Sequence, residues 1–373
     1  MKMKLARSIS GISLLLVCGV FLVAPYVHSA DPGTFIAPFK KIRSLTSTVP
    51  ANGDVNPYGV AVVQRTVGSL TRNHVLVSNF NNSQNQQGTG TTIMDISPDG
   101  KASVFAQLNP ADLTDICPDG IGLTTALVVL RSGWVIVGSL PTTDGTSATA
   151  KAGCLLVLDS NGEVVESIGG EAINGPWDMT AVEGDGWAAL FVTNVLNGTV
   201  AGNGAEVDQG NVLRINLEVD EDEMPKVAEN GVTVIASGFP EKTDPDALVI
   251  GPTGVGFSSG GVLYVADTLN NRIAAIPDAL SRMTDAGTGD TVFQGGALNG
   301  PLGLAVAPNG HILTVNGGDG NLVEITPDGE QVAVMDIDAT GAGAGTLFGL
   351  ALGPGRSGIY FVNDGNNTLN RLF

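Results

Sequence analysis

Histidine and cysteine are scarce in this chain of 373 residues, which has three of each. Only His74 and His311 lie beyond the first 30 residues, and each begins a short apolar run. So few residues provide neither a zinc-ligand spacing nor a Ser-His-Asp set, and no glycine-rich phosphate loop is present. A general base that works near neutral pH is therefore hard to find in the sequence.

Basic residues are also few, because 18 Lys and Arg stand against 37 Asp and Glu, for a formal net charge of −19. If Lys2, Lys4 and Arg7 are removed with the leader described below, 15 basic residues remain and the charge becomes −22. Such a negative surface repels nucleic acids and anionic lipids, so neither is expected as a partner. The charge either serves solubility alone or attracts cations and basic ligands.

Beyond the N-terminus, no stretch has a helical apolar period long enough to predict a helix. Short β-rich runs alternate instead with Pro-Gly, Asp-Gly and Asn-Gly turns, which are typical of hairpins because glycine supplies the positive φ they need. The pattern is clearest at Gly251–Ile276, GPTGVGFSSGGVLYVADTLNNRIAAI. Related copies open with NPYG at Gly59, CPDG at Gly120, GPWD at Asp178, GPLG at Gly303 and TLFG at Gly349. The predicted fold class is all-β.

Six copies of this kind predict a six-bladed β-propeller of four-stranded antiparallel blades. The final copy shows only three strands before Phe373. The unassigned run Phe39–Val49 is available as the missing fourth strand, and its pairing there would close the ring. The alternative is an open solenoid with a free N-terminal arm, which leaves a sheet edge uncovered.

These motifs resemble the NHL repeat. Gly251–Ile276 has the pattern of that family, which is Gly-Pro-x-Gly, an apolar strand, Gly, LYVAD and NNRI. Gly300–Gly329 is also similar, and the other four copies are recognisable. The resemblance implies one propeller domain over residues 30–373. It says little about function, because NHL-type propellers include binding scaffolds, lyases and hydrolases.

Residues 1–29 are predicted to be a secretion signal peptide. A basic region with Lys2, Lys4 and Arg7 precedes the apolar core Ile9–Ala24, and small residues follow at Ser29 and Ala30. The core is short for a membrane span, and Val17 before Cys18 is too bulky for the usual lipoprotein pattern. We expect a secreted or periplasmic protein with no stable membrane insertion after cleavage, and an uncleaved anchor is the alternative.

Cys117 and Cys154 remain after such processing. In the repeat register, Cys117 lies in the loop before the first strand of its blade, and Cys154 follows the long loop LPTTDGTSATAKAG between the second and third strands. Both loops emerge on the same face. An oxidising compartment favours a disulfide that ties this loop down, and two separate buried thiols are the alternative.

Long loops between second and third strands are the main indication of function. Blades 1 to 3 have them, with NFNNSQNQQGTGT, the loop just given and VLNGTVAGNGAEVDQG. We call the side on which they emerge the long-loop face. Loops on a rigid scaffold commonly form binding sites, and their Asn, Asp, Gly, Thr and Gln suit sugars, polar small molecules or hard cations. The alternative is that they are solvated decoration.

One small polar residue ends the second strand of every copy, namely Asn79, Ser139, Asn194, Asp267, Asn316 and Asp364. These residues either accept backbone N–H groups of the following turn or form a polar ring around the channel mouth. Asp178 replaces the glycine of other copies and stands beside Trp177, so a carboxylate and an aromatic ring project there. The residues predicted to bind a ligand are Trp177, Asp178, Asn79 and Asn316.

Known propeller chemistries provide an alternative function. Gluconolactonase- and regucalcin-like propellers hold a divalent metal with Glu, Asn and Asp, partly from a Pro-Asp-Gly opening, and Asp119 in CPDG is similar to that pattern. No opening strand offers the Glu, however. The predicted metal set, with Ca²⁺ as the candidate ion, is Asp119, Asp178, Asn194 and Asp267. His74 and His311 are interpreted as strand residues rather than as the catalytic histidines of lyase propellers.

The main hypothesis is an exported NHL-type propeller that binds a polar small molecule, a carbohydrate or a partner protein through the long-loop face. Binding is favoured over catalysis. The alternative is a divalent-metal-dependent lactonase- or lyase-like enzyme with its site at the channel mouth. A protein-interaction scaffold is a third hypothesis, which requires an exposed apolar patch.

Overall fold

The structure, a computed structural model, describes residues 33–220, 223–355 and 357–373. The predicted signal peptide and Cys18 lie outside the described residues. Among the residues that are described, no helix has the length and apolar character needed to cross a membrane.

The described residues contain 25 strands in six sheets. The first strand, β1, is Ile42–Ser47. Blade 1 comprises β2 (Val55–Val62), β3 (Val75–Asn81), β4 (Thr92–Ile96) and β5 (Ala102–Gln107). Blade 2 comprises β6 (Leu123–Val129), β7 (Val135–Ser139), β8 (Cys154–Leu158) and β9 (Val164–Ile168). Blade 3 comprises β10 (Pro176–Gly184), β11 (Trp187–Asn194), the helix α1 (Thr199–Gly202), β12 (Val207–Glu218), β13 (Lys226–Asp244) and β14 (Leu248–Ile250).

The second half of the ring is more regular. Blade 4 comprises β15 (Pro252–Phe257), β16 (Leu263–Asp267), β17 (Arg272–Ile276) and β18 (Asp290–Gln294). Blade 5 comprises β19 (Pro301–Val306), β20 (Ile312–Asn316), β21 (Asn321–Ile325) and β22 (Gln331–Asp336). Blade 6 comprises β23 (Leu347–Leu352), β24 (Ile359–Asn363) and β25 (Thr368–Leu372). Short 3₁₀ turns lie at Pro110–Asp112, Ser147–Thr149 and Asp364–Asn366. The predicted all-β six-bladed propeller is confirmed.

The ring is closed by β1, as the sequence predicts. It pairs antiparallel with β25, from Ile42 opposite Leu372 to Ser47 opposite Thr368, and completes a sheet of order β1-β25-β24-β23. Radial repetition and this closure leave few exposed sheet edges.

Neighbouring blades bury their faces against each other. Between blades 1 and 2, for example, Leu76 and Ile93 pack in one cluster with Leu127 and Val137, and Leu76, Ile93 and Val137 are fully buried. Alternating residues of each strand supply both faces, which is why every sheet needs a neighbour on each side. The first strand of each blade lies innermost, with one edge facing the ring axis.

Blade 3 is extended by an insertion on the long-loop face. Its fourth strand, β13, continues past the sheet to Asp244 and turns back as β14, which pairs with it from Leu248 to Ile250. Leu248 and Val249 are buried against the first strands of other blades. The insertion FPEKTDPDALVIGP is therefore a hairpin that covers one end of the ring axis.

Cys117 and Cys154 form a disulfide between the loop before blade 2 and the first residue of β8. Both residues are buried. The bond therefore joins the end of the long loop LPTTDGTSATAKAG to the segment that leads into blade 2.

Replacing both cysteines by serine is expected to lower the free energy of unfolding by about 2–4 kcal/mol, because the crosslink restricts a loop in the unfolded chain. Urea unfolding of wild type and double variant, each with and without reductant, measures the loss. The reductant should destabilise only the wild type. If the double variant is as stable as the oxidised wild type, the crosslink contributes nothing to stability.

Candidate functional site

The ring axis contains a channel with a cavity of about 590 Å³. Its wall is built from the first strands of all six blades, which are β2, β6, β10, β15, β19 and β23. Each of these strands has a hydrogen-bonded neighbour on one side only. The N–H and C=O groups of its free edge therefore face the channel, between side chains such as Val62, Leu127 and Leu304.

A bulge near the start of each first strand sets the inner end of the channel. In five blades, two bulge residues lie opposite a single residue of the second strand. The pairs are Tyr58-Gly59, Trp177-Asp178, Thr253-Gly254, Leu302-Gly303 and Phe348-Gly349. Blade 2 has three such residues, Thr124, Thr125 and Ala126.

Glycine is needed at the second bulge position because the next blade approaches closely. A Cβ on Gly254 would lie 2.1 Å from the Leu302 carbonyl oxygen, and one on Gly349 would lie 2.1 Å from that of Tyr58. Asp178 is the exception in blade 3. Its Oδ2 accepts the backbone N–H of Val255 in blade 4 at 3.2 Å, so a side-chain contact bridges the two blades there.

Asp178 is a nearly buried carboxyl group at the inner end of the channel, with 8% of its surface exposed. Its Oδ1 accepts the backbone N–H of Met179 at 2.8 Å. Burial raises the pKa of Asp178 to about 7, against a smaller lowering by the N–H groups of Met179 and Val255. The group therefore changes protonation near neutral pH, where the sequence shows no histidine suited to that role.

Thr125 is a second polar residue of the channel wall, contributed by the longer bulge of blade 2. It is 4% exposed, and its hydroxyl has no hydrogen-bond partner among the described residues. A buried hydroxyl without a partner is costly unless water or a ligand satisfies it. Thr125 is not among the predicted site residues, because the CPDG motif places the blade 2 opening too early in the sequence.

The cavity reaches solvent on the face opposite the long loops, which we call the turn face because turns between first and second strands form it. Gln64 and Arg72, both exposed, and Glu183 line this mouth. Glu183 accepts the backbone N–H of Arg131 at 2.9 Å, which fixes its carboxylate at the rim.

An apolar plug closes the channel at the long-loop face. It consists of Tyr58, Trp177, Leu302 and Phe348 beneath Val249 of the blade 3 hairpin. Tyr58 stacks on Phe348 with ring centroids 4.0 Å apart, and the Trp177 indole N–H donates to the Val249 carbonyl at 3.2 Å. Trp177, predicted to bind ligand, is thus 2% exposed and part of the plug. The open end of the channel lies on the turn face, whereas the main hypothesis from the sequence places binding on the long-loop face.

The polar residues that end the second strands are buried and bonded to the segments that lead into their blades. Asn79 and Asn316, predicted to bind ligand, are each 0% exposed and donate to backbone carbonyls of Thr48 and Ala297. Asn194 accepts the Asn174 backbone N–H at 3.0 Å. In blade 6 the equivalent residue is Asn363, opposite Leu347, and not Asp364, because two polar residues adjoin there. None of these residues lines the channel cavity, so they do not form a polar ring at its mouth.

The four predicted metal ligands are not brought together. Asp119 is exposed in the loop before β6. It precedes the first strand of blade 2, which begins at Leu123 opposite Ser139. Asp267 is buried and bound to the Arg272 guanidinium at 2.8 Å. In residues 33–220, 223–355 and 357–373, no group of three or more His, Cys, Asp or Glu is arranged to hold a metal. Only Asp178 of the set lines the channel, so these residues do not fit a Ca²⁺ site.

Both histidines pair with carboxylates of the neighbouring third strand. His74 Nδ1 lies 2.9 Å from Asp95, and His311 Nδ1 lies 2.6 Å from Glu324. Neither histidine lines the channel cavity. Their interpretation as strand residues agrees with these positions.

No family model matches this sequence, and no curated protein sequence matches it significantly. Solved structures do match. A gluconolactonase from Xanthomonas campestris is 13% identical, with 89% of this chain and 88% of that chain covered and a TM-score of 0.55. The calcium-binding protein regucalcin from Agrobacterium tumefaciens is 14% identical, with 88% and 94% covered and a TM-score of 0.55. A luciferin-regenerating enzyme is 11% identical, with 89% and 94% covered and a TM-score of 0.55. These likenesses show the six-bladed propeller fold, and the NHL label is not confirmed by any family model.

Proposed function

We propose that this chain binds a small polar molecule, such as a carbohydrate or polyol, in its central channel, and that the ligand enters from the turn face. The observation that carries the proposal is the cavity of about 590 Å³, which is in the size range of small-molecule sites. Its wall offers six strand edges, the Asp178 carboxyl and the Thr125 hydroxyl. A ligand with several hydroxyl groups would satisfy more of these than an apolar one.

Export is part of the proposal. The basic and apolar pattern of residues 1–29 supports a signal peptide, and the Cys117–Cys154 disulfide suits an oxidising compartment. We therefore infer that the ligand is met outside the cytoplasm.

Covalent blocking of the channel tests the site. Val62→Cys places a thiol on the channel wall and Ala148→Cys places one on an exposed long loop. A panel of monosaccharides and polyols is screened by saturation-transfer difference NMR before and after labelling with a bulky methanethiosulfonate reagent. We expect labelling to abolish binding in Val62→Cys and to leave it unchanged in Ala148→Cys. The reverse result would support the long-loop face instead, and a panel in which nothing binds would contradict the proposal.

A lactonase- or lyase-like enzyme is the second candidate function. The Asp178 carboxyl, with a pKa of about 7 inside the channel, is suited to act as an acid or base near neutral pH. The fold is also shared with a gluconolactonase. Hydrolysis of gluconolactone, assayed with and without added calcium, tests it. Turnover that Asp178→Asn removes would support catalysis. Turnover unaffected by that change would place the chemistry elsewhere.

A further inference from the structure

The Asp178 carboxyl has no basic partner in the structure. Its described contacts are the N–H groups of Met179 and Val255, and no charged group contributes to its pKa. Arg72, the basic residue of the channel, lies at the turn-face mouth, on the loop before β3, whereas Asp178 lies near the start of β10. A buried carboxylate is costly when nothing pairs with it. Above pH 7, where Asp178 ionises, the channel therefore holds an unpaired negative charge.

Among the described residues, the strands β6 and β15, which pack on either side of β10, do not supply the missing charge. The neighbouring bulge of blade 2 contributes Thr124 and Thr125, and that of blade 4 contributes Thr253 and Gly254. Thr193, which bridges blades 3 and 4, accepts the Asp178 backbone N–H and donates to the Thr253 carbonyl. The groups around the carboxyl are thus hydroxyls, backbone amides and carbonyls, all uncharged.

We propose that the channel ligand carries a primary ammonium group, which binds at the inner end between the Asp178 carboxylate and the unpartnered Thr125 hydroxyl. An ammonium has three N–H donors and no acceptor. The carboxylate, the hydroxyl oxygen and a carbonyl of a strand edge are acceptors of the kind that it needs. This inference rests on the proposed function and names the class of its ligand: a small polar amine, such as an aminated polyol.

An ammonium fits better than a metal ion at this place. Calcium takes six to eight oxygen ligands and usually several carboxylates, whereas the inner end of the channel provides one carboxylate. The net charge of −19 also favours the approach of a cation. At the rim, the Glu183 carboxylate lies 3.8 Å from the Arg131 guanidinium, so the unpaired negative charge of the channel is that of Asp178.

A matched pair of probes tests the inference on the full chain. Glucamine and sorbitol have the same hydroxylated carbon chain, but only glucamine carries an ammonium. By isothermal titration calorimetry at pH 8, glucamine is expected to bind about tenfold or more tightly than sorbitol, since a charge-assisted hydrogen bond is worth more than a neutral one. Asp178→Asn should remove this preference. The matched control is Asp119→Asn, which changes an exposed carboxylate on the long-loop face and should keep the preference.

The outcomes separate this inference from the proposed function. If sorbitol and glucamine bind equally and labelled Val62→Cys binds neither, the channel site stands and the ammonium assignment is wrong. If labelled Val62→Cys still binds glucamine, both are wrong. Competition of calcium chloride with glucamine at millimolar concentration would assign the carboxylate to a metal instead. The absence of binding by both probes would also overturn the inference.

Discussion

Raising the pH from 5 to 8 is expected to destabilise this protein by several kcal/mol. Burial raises the pKa of Asp178, Glu241 and Asp364 to about 7 each. In the unfolded chain these carboxyls ionise near pH 4. Between pH 4 and 7 the folded state therefore holds protons that the unfolded state has lost, and stability falls as the pH rises.

The size of the effect follows from the two most buried groups. Asp178 is 8% exposed and Glu241 is 0% exposed. Each pH unit costs about 1.4 kcal/mol per group, so these two together account for roughly 5 kcal/mol between pH 5 and 7. Asp338, whose pKa its hydrogen bonds lower to about 2, acts in the opposite direction but only below this range. Urea unfolding at intervals from pH 5 to 8 measures the slope.

Neutral variants provide the controls for the pH dependence. Asp178→Asn and Glu241→Gln should each flatten the slope by roughly a third to a half, even where they shift stability at a single pH, because their amides do not ionise. Glu229→Gln, at an exposed position, should leave the slope unchanged. A wild-type stability that stays level or increases from pH 5 to 8 would show that these carboxyls are not buried as described.

The repeats made the fold predictable because their information is local. Turn glycines and alternating apolar residues recur in each copy and predict its strands without reference to the rest of the chain. The run Phe39–Val49 belongs to none of the copies, so it predicts the missing strand of blade 6. The departure of Asp178 from the glycine pattern also identified a channel residue. Its pKa could not be inferred, since it depends on burial by the next blade.

The errors arose where several blades meet or where two patterns compete. The motif CPDG predicted the opening of blade 2 at Gly120, but the pairing of Leu123 with Ser139 places it later, and the longer bulge contains Thr125. The plug joins Tyr58 and Phe348 from opposite ends of the chain. No local pattern shows that these rings stack and close the long-loop face. The position of the channel mouth was therefore not predictable from the repeat.

A buried carboxylate holds the segment before β1 against blade 5. Glu324, on β21 of blade 5, is 0% exposed and accepts the backbone N–H of Ile36 at 2.9 Å as well as that of Phe35. It also pairs with His311. Ile36 and Phe39 pack in the core shared by blades 5 and 6. Glu324 thus fastens the chain that leads into the closing strand.

Glu324→Ala is expected to lower the free energy of unfolding by about 3–5 kcal/mol, because it leaves two backbone N–H groups and a histidine buried without their carboxylate. Hydrogen exchange should increase first in residues 35–47 and in β25, which loses the cover of β1. The matched control is Asp95→Ala, since Asp95 pairs with His74 at the equivalent place in blade 1 but is more exposed and holds no terminal segment. We expect a smaller loss there and unchanged exchange in β1. Equal exchange profiles for the two variants would mean that closure depends on strand pairing alone, without the anchor.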